Sequence, residues 1–168
     1  ITLSGSATET HQAATSYTDP GAIWTDAVDG NGSATVSGTV DVSVPGTYTL
    51  TYSKTDAAGN AATQVSRTVT VVDTTNPVIS LTGDANVSHE AATVYTDGGA
   101  AWTDTLDGNG TLVAVGAVNV SVPGTYTLSY DLNDTAGNGA TQITRTVTVQ
   151  DTTKPVITLT GDAAVTHE

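Results

Sequence analysis

Gly124-Thr125-Tyr126-Thr127-Leu128-Ser129-Tyr130, then Asp134-Thr135-Ala136-Gly137-Asn138, then Ile143-Thr144-Arg145-Thr146-Val147-Thr148-Val149 is the stretch that decides the fold. Strict alternation puts Tyr126, Leu128 and Tyr130 on one face of a strand. The Asp-x-x-Gly-Asn segment turns the chain, and the Thr-rich segment returns it. Working backwards, Val122-Pro123-Gly124 closes a strand region over Leu112 to Val120. Before it lies Asp104 to Gly110, dense in Asp, Asn and Gly and read as a loop. Ala100-Ala101-Trp102-Thr103 makes a short strand after the turn Tyr95 to Gly99. Pro77 to Thr82 alternates behind a proline and is expected to be a first, edge strand, bent by Gly83 to Asn86 and continued from Val87 to Thr93. Short alternating strands with turn signals between them describe an all-β, two-sheet sandwich.

The same pattern occurs twice. Residues 1 to 78 match residues 79 to 156 at 49 of 78 positions without a gap, so both copies must share one fold. Ile1-Thr2-Leu3-Ser4-Gly5 returns as Ile79-Ser80-Leu81-Thr82-Gly83 and as Ile157-Thr158-Leu159-Thr160-Gly161. The expected organisation is module 1 over 1–72, a linker over 73–78, module 2 over 79–150, a linker over 151–156, and the first strand of a truncated third module over 157–168. Arrays of near-identical modules supply reach, spacing or multivalency rather than chemistry.

Composition agrees with β structure. Thr occurs 35 times, while Phe, Met and Cys are absent. Thr is β-branched and sits well on an exposed strand face. The formal net charge is −13, with Lys54, Arg67, Arg145 and Lys154 the only basic side chains besides three His. Such a field disfavours nucleic acid and anionic membrane surfaces and favours cations. Without Cys there is no disulfide, which fits a bacterial exported repeat and equally a cytosolic protein. No signal peptide or apolar run of membrane-spanning length is present, and a fragment of a longer protein would have lost both.

The proline-led first strand, Gly-Thr-Tyr-Thr-Leu-Ser-Tyr, Asp-x-x-Gly-Asn, Thr-Arg-Thr-Val-Thr-Val and the closing Asp together resemble the bacterial surface immunoglobulin-like domains. These are related to hyalin-repeat modules and occur in tandem in large secreted adhesins. The resemblance covers both full repeats and the terminal 12 residues. It implies a Greek-key Ig-like sandwich acting as a non-enzymatic extender at the cell surface, with neighbouring repeats as its partners. A glycan- or host-protein-binding module is the alternative, and would expose Trp24, Trp102 or several Tyr.

In a sandwich of this strand order, the loops Asp104 to Gly110 and Asp134 to Asn138 return to the end where the linker Asp73-Thr74-Thr75-Asn76 enters. Asp73, Asp104, Asp107, Asn109, Asp134 and Asn138 are therefore expected to converge. The first repeat offers Asp26, Asp29, Asn31, Asp56 and Asn60 at matching positions, and Asp151 repeats Asp73. Ca²⁺ takes six to eight oxygen ligands from such groups. Two readings stand side by side: an interdomain calcium site, which the resemblance to calcium-stiffened adhesins also implies, and plain turn chemistry, since Asp, Asn and Gly are what tight turns prefer.

Other residues read structurally. His11, His89 and His167 recur without a second His or a Cys, which argues against zinc. No serine is singled out by a base and an orienting acid, so catalysis has no support. Trp24 and Trp102 are expected to be buried core anchors, and Tyr48 and Tyr126, after Pro-Gly-Thr, tyrosine corners. Thr144, Thr146 and Thr148 form an outward ladder. Lys54 is matched by Leu132, which speaks against a crosslink shared by the repeats. Residues 157–168, with Val156, Ile157, Leu159 and Val165 alternating, are expected to be disordered or to self-associate by strand pairing.

Overall fold

The two alternating segments of each repeat form its longest antiparallel pair. In the computed structural model, which describes residues 1–161, the first repeat runs β1 (Thr2–Leu3), β2 (Thr8–Gln12), β3 (Ala22–Asp26), β4 (Gly30–Ser33), β5 (Thr35–Ser37), β6 (Gly46–Ser53) and β7 (Val65–Val72). The second runs β8 (Val78–Leu81), β9 (Asn86–Glu90), β10 (Ala100–Asp104), β11 (Gly108–Leu112), β12 (Gly124–Tyr130) and β13 (Ile143–Gln150). No helix occurs among the described residues. Each repeat has two sheets, ordered β1-β3-β4 and β2-β7-β6-β5 in the first and β8-β10-β11 and β9-β13-β12 in the second. This is the all-β, Ig-like sandwich expected. The register is conserved to the residue: Tyr48 faces Val69 as Tyr126 faces Val147.

The first strand departs from the expected continuous run. β1 pairs antiparallel with β3, but β2 crosses to the other sheet and runs parallel to β7, as β9 does with β13. The crossing leaves strand carbonyls without ladder partners, and a buried arginine meets them. Arg145 donates through Nε to the Asp84 carbonyl (2.9 Å) and through Nη2 to that of Thr82 (2.6 Å). Its Nη1 pairs with the Asp97 carboxylate, which also accepts from the Tyr130 hydroxyl (2.7 Å). Arg67 does the same with Ser6, Ser4 and Asp19, and Tyr52 completes that set. Both guanidinium groups are buried, and each carboxylate is about one-fifth exposed. Burial opposes ionisation of Asp97, but hydrogen bonds from Tyr130 and Arg145 outweigh it and hold the carboxyl below its usual range.

Two compact units result, each with its own core. One holds Ile1–Val78 together with Trp102–Gly110 and Leu132–Thr141; the other holds Ile79–Ala101, Thr111–Asp131 and the chain from Gln142 onward. The first buries Ala22, Leu50 and Tyr52 among Leu3, Val40 and Val65; the second buries Leu128, Val147 and Val149 among Val87, Val118 and Tyr126.

Three further expectations change in detail. Asp104 to Gly110 is only half loop: Asp104 Oδ1 accepts from Leu106 N (2.8 Å) and Asp107 N (3.0 Å), tightening the turn so that Gly108 already begins β11. The strand region Leu112 to Val120 shrinks to β5 in the first repeat and to a single Val115–Ser129 bridge in the second. Trp24 and Trp102 are half-buried rather than core anchors. Each ring lies over a glycine of the facing strand, Gly32 or Gly110, and the Trp24 indole N–H donates to the Ser33 carbonyl (3.1 Å). The tyrosine corners form as expected, with Tyr48 donating to Val44 O (2.7 Å) and Tyr126 to Val122 O (2.8 Å). Thr144 and Thr148 point outward while Arg145, Val147 and Val149 point in. Val156, Ile157 and Leu159 are exposed and belong to no strand. Val165, His167 and Glu168 lie outside the described residues.

Candidate functional site

The Asp- and Asn-rich loops are held first by their own carboxylates. Asp134 accepts from the Asn138 backbone N–H and side-chain amide, both at 2.7 Å. Asp107 reaches across to Thr135, accepting from its N–H (2.8 Å) and hydroxyl (2.8 Å). The first repeat copies this with Asp56 and Asn60, and with Asp29 accepting from Ala57 N (2.8 Å). The Asn60 side-chain amide, with its backbone N–H, holds the Asp56 carboxyl below its ordinary range. Turn chemistry thus engages most of the carboxylates that the sequence nominated.

Asp73 is different. Its Oδ1 accepts from the Thr75 hydroxyl (2.6 Å), the Thr75 N–H (3.0 Å) and the Gln12 amide (3.1 Å). The Thr75 hydroxyl leads in holding the Asp73 carboxyl below its ordinary range, against burial. Its carbonyl accepts from Asn138 Nδ2 (3.2 Å). The residue is only 8% exposed, yet its Oδ2 has no hydrogen-bond partner. Asp104 Oδ2 is the other buried side-chain oxygen left without one among the described residues. Buried polar atoms are nearly always paired, so two orphaned carboxylate oxygens require an explanation.

All six residues expected to converge, Asp73, Asp104, Asp107, Asn109, Asp134 and Asn138, belong to one compact unit. Asn109 lies exposed on β11, and Asn31 lies on β4 opposite Thr25. Among the described residues no three Asp, Glu, His or Cys side chains gather closely enough to hold a metal by themselves. Asp26, Asp56 and Asn60 instead line a recess of about 210 Å³ with Ile1, Trp24 and Lys54. Asp151 is exposed, its Oδ1 accepting from Thr153 N (3.0 Å).

Sequence reasoning missed the fasteners beside these aspartates. Gln12 Oε1 accepts from the Thr74 hydroxyl (2.6 Å), and at the equivalent position Glu90 accepts from the hydroxyls of Thr152 (2.6 Å) and Thr153 (2.8 Å). Thr152 leads in holding the Glu90 carboxyl below its ordinary value. The available signal was their recurrence after His11 and His89. Those imidazoles stay local, each edge-on to a Tyr at 5.1 Å and bonded to Thr15 or Thr93.

A family model described as "Bacterial surface protein, Ig-like domain" matches the chain twice, over residues 1–71 and 79–149. No curated protein matches it. Among solved structures, the lipoprotein BT2262 from Bacteroides thetaiotaomicron is similar at 24% identity, covering 47% of this chain and 40% of that one with a TM-score of 0.39. The chain therefore spans less than half of that lipoprotein.

Proposed function

Because the chain belongs to the bacterial surface protein Ig-like domain family and so to the cell exterior, we propose that its repeats are non-enzymatic extender modules of a large surface or secreted adhesin. The observation that carries this reading is the repetition itself: 49 identities in 78 positions and the same cross-strand register in both copies. Spacing tolerates identical copies, whereas recognition of a ligand requires a distinguishing surface. A glycan-binding module would offer its aromatic rings to solvent; here each indole is half-buried over a glycine. Trp emission that is blue-shifted and resistant to quencher supports the extender; a red-shifted, readily quenched signal that responds to sugars overturns it.

The finer part of the proposal is that Ca²⁺ stiffens the array at the Asp73 loop cluster. The support is the pair of buried, unpartnered oxygens, Asp73 Oδ2 and Asp104 Oδ2. These would be two of its ligands, with backbone carbonyls and water completing the six to eight that the ion takes. Bound metal offsets the repulsion of two desolvated carboxylates and fixes the Asp-Thr-Thr-x-Pro segment, which a proline and two β-branched residues already stiffen. By linkage, an ion that binds only the folded form raises the melting temperature. Calorimetric titration of Ca²⁺ into chelator-stripped protein should show saturable binding and a higher melting temperature, and Asp73→Asn with Asp104→Asn should abolish both. Melting that ignores millimolar Ca²⁺ and chelator alike removes the metal and leaves linker packing as the stiffening element.

A further inference from the structure

The second repeat contains a recess of about 440 Å³ that reaches from Val94 and Val113 at its rim to Leu128, a buried residue of the core. Tyr95, Ala114 and Val118 form its walls and pack against the same core. Every residue around it belongs to one compact unit. The backbone explains the opening. In the first repeat β5 closes the sheet edge with three register pairs, from Thr35–Ser53 to Ser37–Thr51. Its counterpart keeps the single Val115–Ser129 bridge, so the segment from Val113 to Val118 lies over the core without a ladder to seat it.

Between the two copies this place has changed in one direction. Of the ten residues lining the recess, six are identical to those 78 positions earlier. The other four are Val94 for Ser16, Val113 for Thr35, Ala117 for Thr39 and Ala114 for Val36. Three hydroxyls give way to hydrocarbon, and one branched side chain is shortened. Val94 and Val113 are 89% and 91% exposed, so their hydrocarbon contributes almost nothing to the module's own core. A concave apolar surface of this size falls within the range of small-molecule sites, roughly 300 to 1,000 Å³. A fifth exchange loosens a polar group on the wall. In the first repeat the Tyr17 hydroxyl donates to Glu9, but the residue matching Glu9 is Val87. The Tyr95 hydroxyl instead makes a long 3.3 Å bond to Asp97, which Tyr130 already holds at 2.7 Å.

We propose that this recess binds a small, uncharged, apolar molecule carrying one hydrogen-bond donor, with its hydrocarbon against Leu128, Val113 and Ala117 and its donor directed to the Tyr95 hydroxyl oxygen. Charge selects this class. Asp97 is the one charged residue in the lining, and Arg145 neutralises it. No cation in the lining faces an anionic group, and the net charge of −13 repels one. A cationic group would give up its hydration only to find Asp97 already paired. The site lies in one repeat and makes that repeat more than a spacer. It goes beyond the extender reading and does not depend on the calcium proposed above.

NMR titration of the intact chain with indole, in excess chelator, tests the proposal. Saturable shifts should be confined to the residues of the recess, giving one site per chain although the fold occurs twice. For a ligand this small the Kd should be about 0.1 to 1 mM. Indole-3-carboxylate should bind at least about tenfold more weakly. Val113→Thr with Ala117→Thr installs the first repeat's residues at exposed positions, and Ala114→Val fills the recess with the first repeat's side chain. Each should weaken indole by about fivefold or more, with the melting temperature of the ligand-free chain unchanged in the Thr variant. Tyr95→Phe should bring indole down to the affinity of 1-methylindole, which has no donor. Absence of saturable shifts up to millimolar indole, equal shifts in both repeats, or an affinity indifferent to both recess variants overturns the proposal. So does a sedimentation mass that rises with protein concentration in the parent and not in the Thr variant, which assigns the apolar rim to contact between copies.

Discussion

Replacing Asp97 with Asn probes the buried arginine with almost no change of shape. The Arg145 side chain is 2% exposed and Asp97 20%. Removing one partner of a fully buried ion pair costs roughly 3 to 5 kcal/mol, because the remaining charge is left in low dielectric. Water reaches the Asp97 side and the guanidinium keeps the carbonyls of Thr82 and Asp84, so the lower end, about 3 kcal/mol, applies. A repeat of 78 residues has a total stability of about 4 to 12 kcal/mol at the usual per-residue values. The loss is therefore a large fraction of the whole. With a urea slope of about 1 to 1.5 kcal/mol/M for a domain this small, the midpoint moves down by about 2 to 3 M. Circular dichroism of the intact chain should show one transition moved and the other, which depends on Arg67 and Asp19, in place. Asp19→Asn should move the complementary transition. A second variant separates charge from carbonyl satisfaction: Asp97→Leu with Arg145→Met removes both charges but orphans the Thr82 and Asp84 carbonyls, each at about 1 to 3 kcal/mol. Full recovery in that double variant, or a midpoint shift below about 0.5 M in Asp97→Asn, would refute the role assigned to Arg145.

Stability should also fall at both ends of the pH scale. Asp97 is depressed below 3.8, so its contribution is complete above that value and is lost as pH drops through the lower folded one. Burial, with the hydrogen bonds to Asp97 and Glu9, pushes Tyr130 and Tyr17 up from 10.0 to about 12, so their contribution is complete below pH 10 and is lost as pH rises toward 12. Melting temperature against pH should be flat between these edges, and Tyr130→Phe should soften the alkaline decline; an unaltered decline counts against the assignment. At Gly110 an added Cβ would stand 2.6 Å from Trp102 Nε1, against 3.1 Å from Trp24 Nε1 at Gly32. Gly110→Ala should therefore cost about 1 to 3 kcal/mol and redden the Trp emission, with Gly32→Ala milder on both counts; equal effects would show that ring contact does not set the cost.

What the sequence disclosed was whatever depends on near neighbours. Alternation found β12 and β13, and Pro-Gly-Thr before Tyr126 found the hydroxyl bonded to Val122. Arg145 was legible in half: it shares its strand face with Val147 and Val149, which marks it as inward, but nothing local names Asp97, 48 residues away, as its partner. The sheet change between β8 and β9 escaped for the same reason, since both segments alternate and only the arginine bonds show where the ladder is interrupted. Trp102 was misplaced because an aromatic in a short strand has no local mark distinguishing the centre of a core from its end. At the candidate site the residue types were visible, but which oxygens turns would use and which would be orphaned required coordinates.

The parallel pairing of β2 with β7 and of β9 with β13 governs how a module answers tension. Pulling a repeat by its two ends drags its second strand toward the start of the chain and its last strand toward the finish, along the same line and in opposite senses. The five register pairs from Thr8–Thr68 to Gln12–Val72 then slide against one another and share the load at once, because bonds in a parallel ladder are evenly spaced along it. A hairpin gripped at its open end would instead lose its bonds singly, like a zip. The two-residue β1–β3 pairing is the part that yields first, letting out a few residues of slack while the sheared ladder beside it holds.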